Sequence, residues 1–264
     1  MKKIFFFDID NTLLDHQTNQ IPASALNAID ALRDDGHTIA IATGRGFGHA
    51  EEYIDLVKPD YTITQNGARI MRRKEVIDRT PLDHAPLMDL FAWMSELSLP
   101  YGINDGLVGH VSAHTDGVMT ALDSVAIAVN DDAAFYQNSE VFQAWLFIDE
   151  DIEQTILPEL FARFPDFDYV RWHTHAMDVM PRGVNKLSAC RFVLEQSGMT
   201  LEDAYAFGDG LNDLEMLAGM GTGIAVGNAH PKLKAVADRI AEHISDDGIA
   251  KMIAQLRSEL SASV

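Results

Sequence analysis

The stretch that most constrains this chain lies at its start, Lys2-Lys3-Ile4-Phe5-Phe6-Phe7-Asp8-Ile9-Asp10-Asn11-Thr12. A short apolar run closed by polar residues reads as a buried strand. In an extended chain residues i and i+2 share a face, so Asp8 and Asp10 converge at the end of that strand. Two carboxylates there are costly unless a cation or hydrogen bonds compensate them. The plain alternative at this point is a strand running out into an acidic turn.

The following segments repeat the pattern. A helical stretch over Ala25 to Leu32 ends near Gly36, and Thr38 to Ala42 reads as a second buried strand running into Thr43-Gly44-Arg45. A helix through Ala50 and Leu56 stops before Pro59, and Tyr61 to Thr64 forms a third strand ending in Gln65-Asn66-Gly67. Strands alternating with helices predict a parallel sheet with helices on its faces, in which ligands bind beyond the carboxyl ends of the strands. Asp8, Thr43 and Asn66 all lie at such ends. Ala68 to Met71 and Glu75 to Ile77 then suggest a hairpin.

From about Pro81 the rhythm changes. A helical pattern over Leu87 to Leu97 precedes strands at Tyr101 to Asn104 and Leu107 to Val111, which flank Asp105-Gly106. A helix over Val118 to Val125, a strand over Phe142 to Ile148, a helix to Phe164 interrupted by Pro158, and strands at Tyr169 to Trp172 and Met177 to Met180 follow. This predicts an α+β unit. Near Gly183 the first rhythm returns: Asn185 caps a helix closed by Gly198, and Ala204 to Phe207 is a strand running into Gly208-Asp209-Gly210-Leu211-Asn212-Asp213. A helix over Leu214 to Leu217, a strand over Gly223 to Val226 and helices after Pro231 and from Asp247 complete the chain.

Four element ends thus carry polar groups at odds with their apolar approaches: Asp8/Asp10, Thr43, Lys186 and Asp209/Asp213. Lys186 falls in the first turn of its helix, where the dipole disfavours a cation unless an anion is near. Asp213 sits where a helix start favours a carboxylate, and each of these residues alone has a structural explanation. The −20 formal charge argues against nucleic acid or anionic membrane as a partner and requires local cations for an anionic substrate. One cysteine, Cys190, excludes an intrachain disulfide and suits a reducing compartment. With no apolar run of signal-peptide or membrane-span length, the chain is expected to be cytoplasmic.

Asp8-x-Asp10-x-Thr12 after the first strand, Thr43-Gly44-Arg45 after the second, Lys186, and Gly208-Asp209-x-x-x-Asp213 after a later strand resemble the haloacid dehalogenase superfamily of phosphohydrolases. Asn66-Gly67-Ala68, Gly227-Asn228-Ala229 and Asp247-Gly248-Ile249-Ala250 look like its Cof-type sugar-phosphatase branch, with Val226 a minor departure. The resemblance implies a Rossmann-like α/β core over residues 1–80 and 182–264, with an α+β cap inserted over 81–181 that sets specificity.

For the chemistry it implies Asp8 as nucleophile and Asp10 as acid and base, with Thr43 and Lys186 holding the phosphoryl group. Gly44, Arg45, Asn66 and Asn212 line the substrate side. Mg2+ is expected on the Asp8 carboxylate, the Asp10 carbonyl and Asp209, with Asp213 an outer or direct ligand. For Arg45 the residues leave open whether it reaches substrate or structures its loop. The expected reaction is magnesium-dependent hydrolysis of small phosphorylated metabolites, sugar phosphates first and pyridoxal or nucleotide-like phosphates next. A phosphomutase or phosphotransferase sharing the aspartyl-phosphate and a non-catalytic phosphometabolite sensor are the alternatives. Trp172-His173-Thr174-His175 holds too few ligands for zinc and reads as a turn between the last two cap strands, with Arg171, His173 and His175 as substrate contacts.

Overall fold

A computed structural model of the chain describes residues 2–125, 127–130 and 139–262. It divides into two compact units, Met1–Gly44 with Ala50–Asp78 and Asn185–Val264, and Arg45–His49 with Arg79–Val184.

The first unit is built on β1 (Ile4–Phe7), α1 (Ala23–Asp34), β2 (Thr38–Ala42), α2 (Phe47–Val57) from Ala50 onward, β3 (Tyr61–Thr64), β4 (Arg69–Arg72) and β5 (Glu75–Arg79) up to Asp78. The four side chains of β1 are wholly buried, and each contributes roughly 2 kcal/mol of apolar burial. Phe7 stacks on Phe207 and Phe5 on Tyr205, each pair with centroids 4.8 Å apart.

The second unit contains α3 (His84–Glu96), β6 (Tyr101–Asn104), β7 (Gly109–Val111), α4 (Asp116–Asp123), β8 (Val129–Asn130), β9 (Ala144–Leu146), α5 (Glu153–Arg163), β10 (Phe167–His173) and β11 (Ala176–Pro181). Its sheet has the order β10-β11-β9-β6-β7-β8. One apolar cluster joins it to α3 and α5, and a second, around Trp145, to α4. Strand β7 starts later than the sequence suggests. The Asp105 carboxylate accepts the N–H groups of Leu107 and Val108, both at 2.7 Å, so these residues are committed to the turn. Helix α5 runs through Pro158. Arg45–His49 also belongs to this unit, outside the segment expected from sequence. There His49 N–H donates to the Gly106 carbonyl, 3.3 Å away.

The chain then returns to the first unit with α6 (Lys186–Ser197), β12 (Ala204–Gly208), α7 (Leu214–Gly219), β13 (Thr222–Ala225), α8 (Pro231–Lys234), β14 (Arg239–Ile240) and α9 (Gly248–Ala262). The two-residue β14 carries too little pattern to be seen in sequence. The eight-stranded sheet has the order β14-β13-β12-β1-β2-β3-β4-β5, parallel from β14 to β3. Helix α1 packs with α9 and β2, while α6 packs with α7 and β3. This is the Rossmann-like α/β core, with an α+β unit inserted. Its strand order reverses at β1: the chain moves outward through β2 and β3 on one side and through β12 and β13 on the other. Phe7 is in register with both Ile41 and Phe207, so the carboxyl ends of the three central strands lie level at this switch point.

Candidate active site

Asp8 follows the last residue of β1 and is 4 % exposed. Its N–H continues the ladder to the Phe207 carbonyl at 3.0 Å, which holds its backbone in the sheet. Beside it, β12 ends at Gly208 and Asp209 follows. Thr43, fully buried, leaves β2 with its N–H donating to the Ile63 carbonyl at 2.9 Å and its carbonyl accepting the Asn66 N–H at 3.0 Å.

Lys186 is fully enclosed at the first position of α6. Its ammonium donates to Asp8 Oδ1 at 2.6 Å and to Asp213 Oδ1 at 2.7 Å. This resolves the conflict between a cation and a helix N-terminus and rules out a solvated surface lysine. The Asn185 side chain accepts the Ser188 N–H at 2.8 Å, and Ser188 Oγ accepts the Asn185 N–H at 3.0 Å. This capping box fixes where the helix, and so Lys186, begins.

Asp213 precedes α7 and is also fully buried. Its Oδ2 accepts the N–H groups of Asp209 and Gly210, both at 3.0 Å, so the carboxylate shapes its own loop while holding Lys186. Only glycine fits at 208, because a β-carbon there would come within 2.6 Å of the Asp213 carboxylate. Thr12 Oγ1 donates a long bond to Asp209 Oδ1 at 3.4 Å.

Carboxylate oxygens of Asp8, Asp209 and Asp213 lie within 4.8 Å of one another, and among the described residues this is the group able to hold a metal ion. Among the described residues, one ammonium, that of Lys186, faces these three carboxylates. Burial, with the charges of Asp213 and Asp10, pushes the Asp8 carboxyl up to about 7 although Lys186 opposes it. Burial and the charges of Asp8 and Asp213 push Asp209 up to about 8. Burial pulls Lys186 down, but Asp213 and Asp8 outweigh it and hold the ammonium protonated. A site so short of positive charge, with hard oxygen donors, fits a small dication.

Gln65 and Asn66 both have left-handed backbone, φ 50° and 53°, and both are buried. Asn66 Oδ1 accepts from Asn212 Nδ2 at 2.9 Å, so two residues expected at the substrate side hold each other, and Gly44 lies against the same pair. Gly67, at φ 112°, sits where a β-carbon would come within 2.5 Å of the Asn185 carbonyl.

Asp10 follows Asp8 on the same loop, and His16 Nε2 meets its Oδ1 at 2.8 Å. No sequence signal marks His16. Arg45 groups with the inserted unit, where its guanidinium donates to the His49 carbonyl at 3.1 Å. Arg171, offered as a substrate contact, donates to the Glu153 carboxylate at 2.8 Å and to the carbonyls of Ile148 and His173 at 3.1 and 3.0 Å. His175 pairs with Asp149 at 2.6 Å, and neither His173 nor His175 joins a metal-capable group.

The model of the haloacid dehalogenase-like hydrolases matches residues 5–253. YkrA of Bacillus subtilis is 35% identical over 257 residues, covering 96% of this chain and 97% of its own. The HMP-PP phosphatase of Yersinia pseudotuberculosis is 30% identical over 260 residues, covering 89% of this chain and 87% of its own. The solved structure of the subclass IIB sugar phosphatase BT4131 superposes with a TM-score of 0.83 at 30% identity, covering 96% of this chain and 98% of that one. With the geometry at the β1 and β12 ends, these likenesses make the chain a member of the haloacid dehalogenase-like hydrolases and a phosphoric monoester hydrolase.

Proposed function

We propose that this chain is a magnesium-dependent cytoplasmic phosphatase of small phosphorylated metabolites, working through an aspartyl-phosphate on Asp8. The observation that carries the reading is Lys186 bonded to both Asp8 and Asp213, with Asp209 alongside, at the switch point of a parallel sheet.

Asp8 attacks phosphorus as the ester P–O bond breaks, and Asp10 passes its proton to the departing oxygen. The Asp10 carboxylate then takes a proton from the water that attacks the aspartyl-phosphate, which releases inorganic phosphate and regenerates Asp8. Lys186, aimed by Asp213, and Thr43 hold the phosphoryl oxygens. The Asp8 and Asp209 carboxylates and the Asp10 carbonyl would hold Mg2+, with Asp213 behind them. The ion supplies the charge that lets a carboxylate approach an anionic phosphoryl group.

Sugar phosphates are the first substrate class, because a sugar phosphatase is among the similar structures. The HMP-PP phosphatase likeness keeps other small organic phosphates next. Selection among them is assigned to the inserted unit. A panel of phosphate esters assayed with Mg2+ and with a chelator tests the proposal. Inorganic phosphate is released only with the metal, Asp8→Asn abolishes turnover while the fold persists, and rapid quenching of the wild type captures phosphate on Asp8. An isomerised ester in place of inorganic phosphate, or substantial turnover by Asp8→Asn, defeats it.

A further inference from the structure

His16 has no place in the reading above, yet its imidazole lies against the residue that reading uses as acid and base. Its Nε2 is 2.8 Å from Asp10 Oδ1. The loop carrying it is built, not loose. The Ile9 carbonyl accepts the N–H groups of Thr12, Leu13 and Leu14 at 3.3, 2.9 and 2.7 Å, drawing the chain into a tight turn directly after Asp8. Leu13 and Leu14 are fully buried and anchor that turn. Asp15 and Gln20 then pair in both directions, at 3.0 and 3.3 Å, and close residues 16–19 into a short hairpin. The Asp15 carboxylate accepts the Gln17 N–H at 2.9 Å and fixes the first corner of that hairpin. His16 therefore leaves a pinned backbone position six residues beyond its partner.

We propose that His16 is a positioning residue for Asp10: it holds one carboxyl oxygen and so fixes the plane in which Asp10 transfers its proton. The inference rests on the proposed phosphatase chemistry. A carboxyl that rotates freely spends little time aligned with a leaving oxygen, whereas one tied at Oδ1 is presented in a single orientation. In this role the imidazole acts through Asp10 and exchanges no proton with the substrate. As the ester P–O bond breaks, the proton still passes from Asp10 to the leaving oxygen, and it is later recovered from the attacking water.

The dependence of rate on leaving group tests this. Departure of p-nitrophenolate needs no proton, whereas a primary alkoxide needs one from Asp10. Because kcat/KM reports only the steps through the first irreversible one, it isolates phosphoryl transfer to Asp8. His16→Ala is expected to lose about ten-fold more kcat/KM on glycerol phosphate than on p-nitrophenyl phosphate, a fraction of what a general acid supplies. His16→Gln, which keeps an N–H donor near the Nε2 position, recovers part of the difference. In an Asp10→Asn background His16→Ala has no further selective effect. Equal losses on the two esters, no loss on either, or a full selective effect without Asp10 overturns the inference, with thermal melting confirming that each variant is folded. A wild type inactive on both esters with Mg2+ overturns the phosphatase reading and the inference together. An active wild type whose Asp10→Asn variant is leaving-group sensitive while His16→Ala is not overturns the inference alone.

Discussion

Lys186 and Asp8 meet at 2.6 Å across 178 residues of sequence, and neither is accessible to solvent to any useful degree. The pair does not balance the site, because the same ammonium also serves Asp213 at 2.7 Å and Asp209 stands beside them. A buried charge left uncompensated weighs against the folded state. The first unit therefore carries an electrostatic cost that a bound cation would relieve, and this gives the stability of the protein an expected direction with pH and with metal.

The Asp8 and Asp209 carboxyls are raised from 3.8 to about 7 and about 8 in the metal-free fold. Between the ordinary carboxylate range and those values the folded chain keeps protons that the unfolded chain has released. Stability therefore falls as pH rises through that window. Metal-free protein is expected to melt lower at about pH 8 than at about pH 5 on account of this pair. Mg2+ needs both carboxylates ionised, so its stabilisation is larger at the higher pH, and its binding releases protons. Melting curves at the two pH values, with chelator and with Mg2+, check the sign. A metal-induced shift that is larger at the acidic value contradicts it.

The turn after β3 offers an inverted order of mutational cost. Asn66 has φ 53°, and its side chain accepts from Asn212. Asn66→Gly removes the hydrogen bond, worth about 1 kcal/mol, but suits the backbone. Asn66→Ala removes the same bond and adds roughly 1–2 kcal/mol for forcing a β-carbon into the left-handed region. Asn66→Asp keeps both an acceptor for Asn212 and tolerance of that conformation. Denaturant unfolding is expected to rank stability as wild type, Asn66→Asp, Asn66→Gly, then Asn66→Ala. An alanine variant more stable than the glycine variant shows that the turn adopts another backbone conformation in solution.

The difference between what the sequence announces and what it conceals follows from the range of the interactions. The buried strand ending in Asp8 and Asp10 is legible because burial and side-chain alternation are local properties. So is Asn185 as the cap of α6, where the interaction spans three residues. Lys186 at a helix start even signals that an anion must be near. What cannot be read locally is which partner closes each bond. Asn66 and Asn212 look unrelated in sequence, 146 positions apart, until the fold brings them into a hydrogen bond. His16 is one histidine in a polar turn, with nothing around it to single it out. The late start of β7 has a similar origin, since the side-chain oxygen of Asp105 competes with the strand ladder for the Leu107 and Val108 N–H groups. Grouping of Arg45 with the inserted unit is a tertiary fact as well, as is its side-chain bond to the His49 carbonyl.

Asp209 and Asp213 have the same side chain four residues apart, but their surroundings predict different failures. Asp213 spends Oδ1 on Lys186 and Oδ2 on two backbone N–H groups, whereas the bond described at Asp209 Oδ1 is the 3.4 Å contact from Thr12. A carboxylate with so weak a competing donor has more to offer a cation than one whose oxygens are already engaged. Asp209→Asn is therefore expected to weaken Mg2+ binding by about 10–100-fold or more, the scale seen on losing partners around a metal, and with it activity. It also relieves repulsion and raises the melting temperature of the metal-free protein at about pH 8. Asp213→Asn weakens the hold on Lys186 and the loop, and leaves a buried ammonium with one carboxylate. Its main losses are stability, by about 1–3 kcal/mol, and turnover at saturating Mg2+. Calorimetric titration of Mg2+ into each variant, alongside melting in chelator, separates the two. Weaker metal binding by Asp213→Asn than by Asp209→Asn reverses the assignment and makes Asp213 the primary ligand.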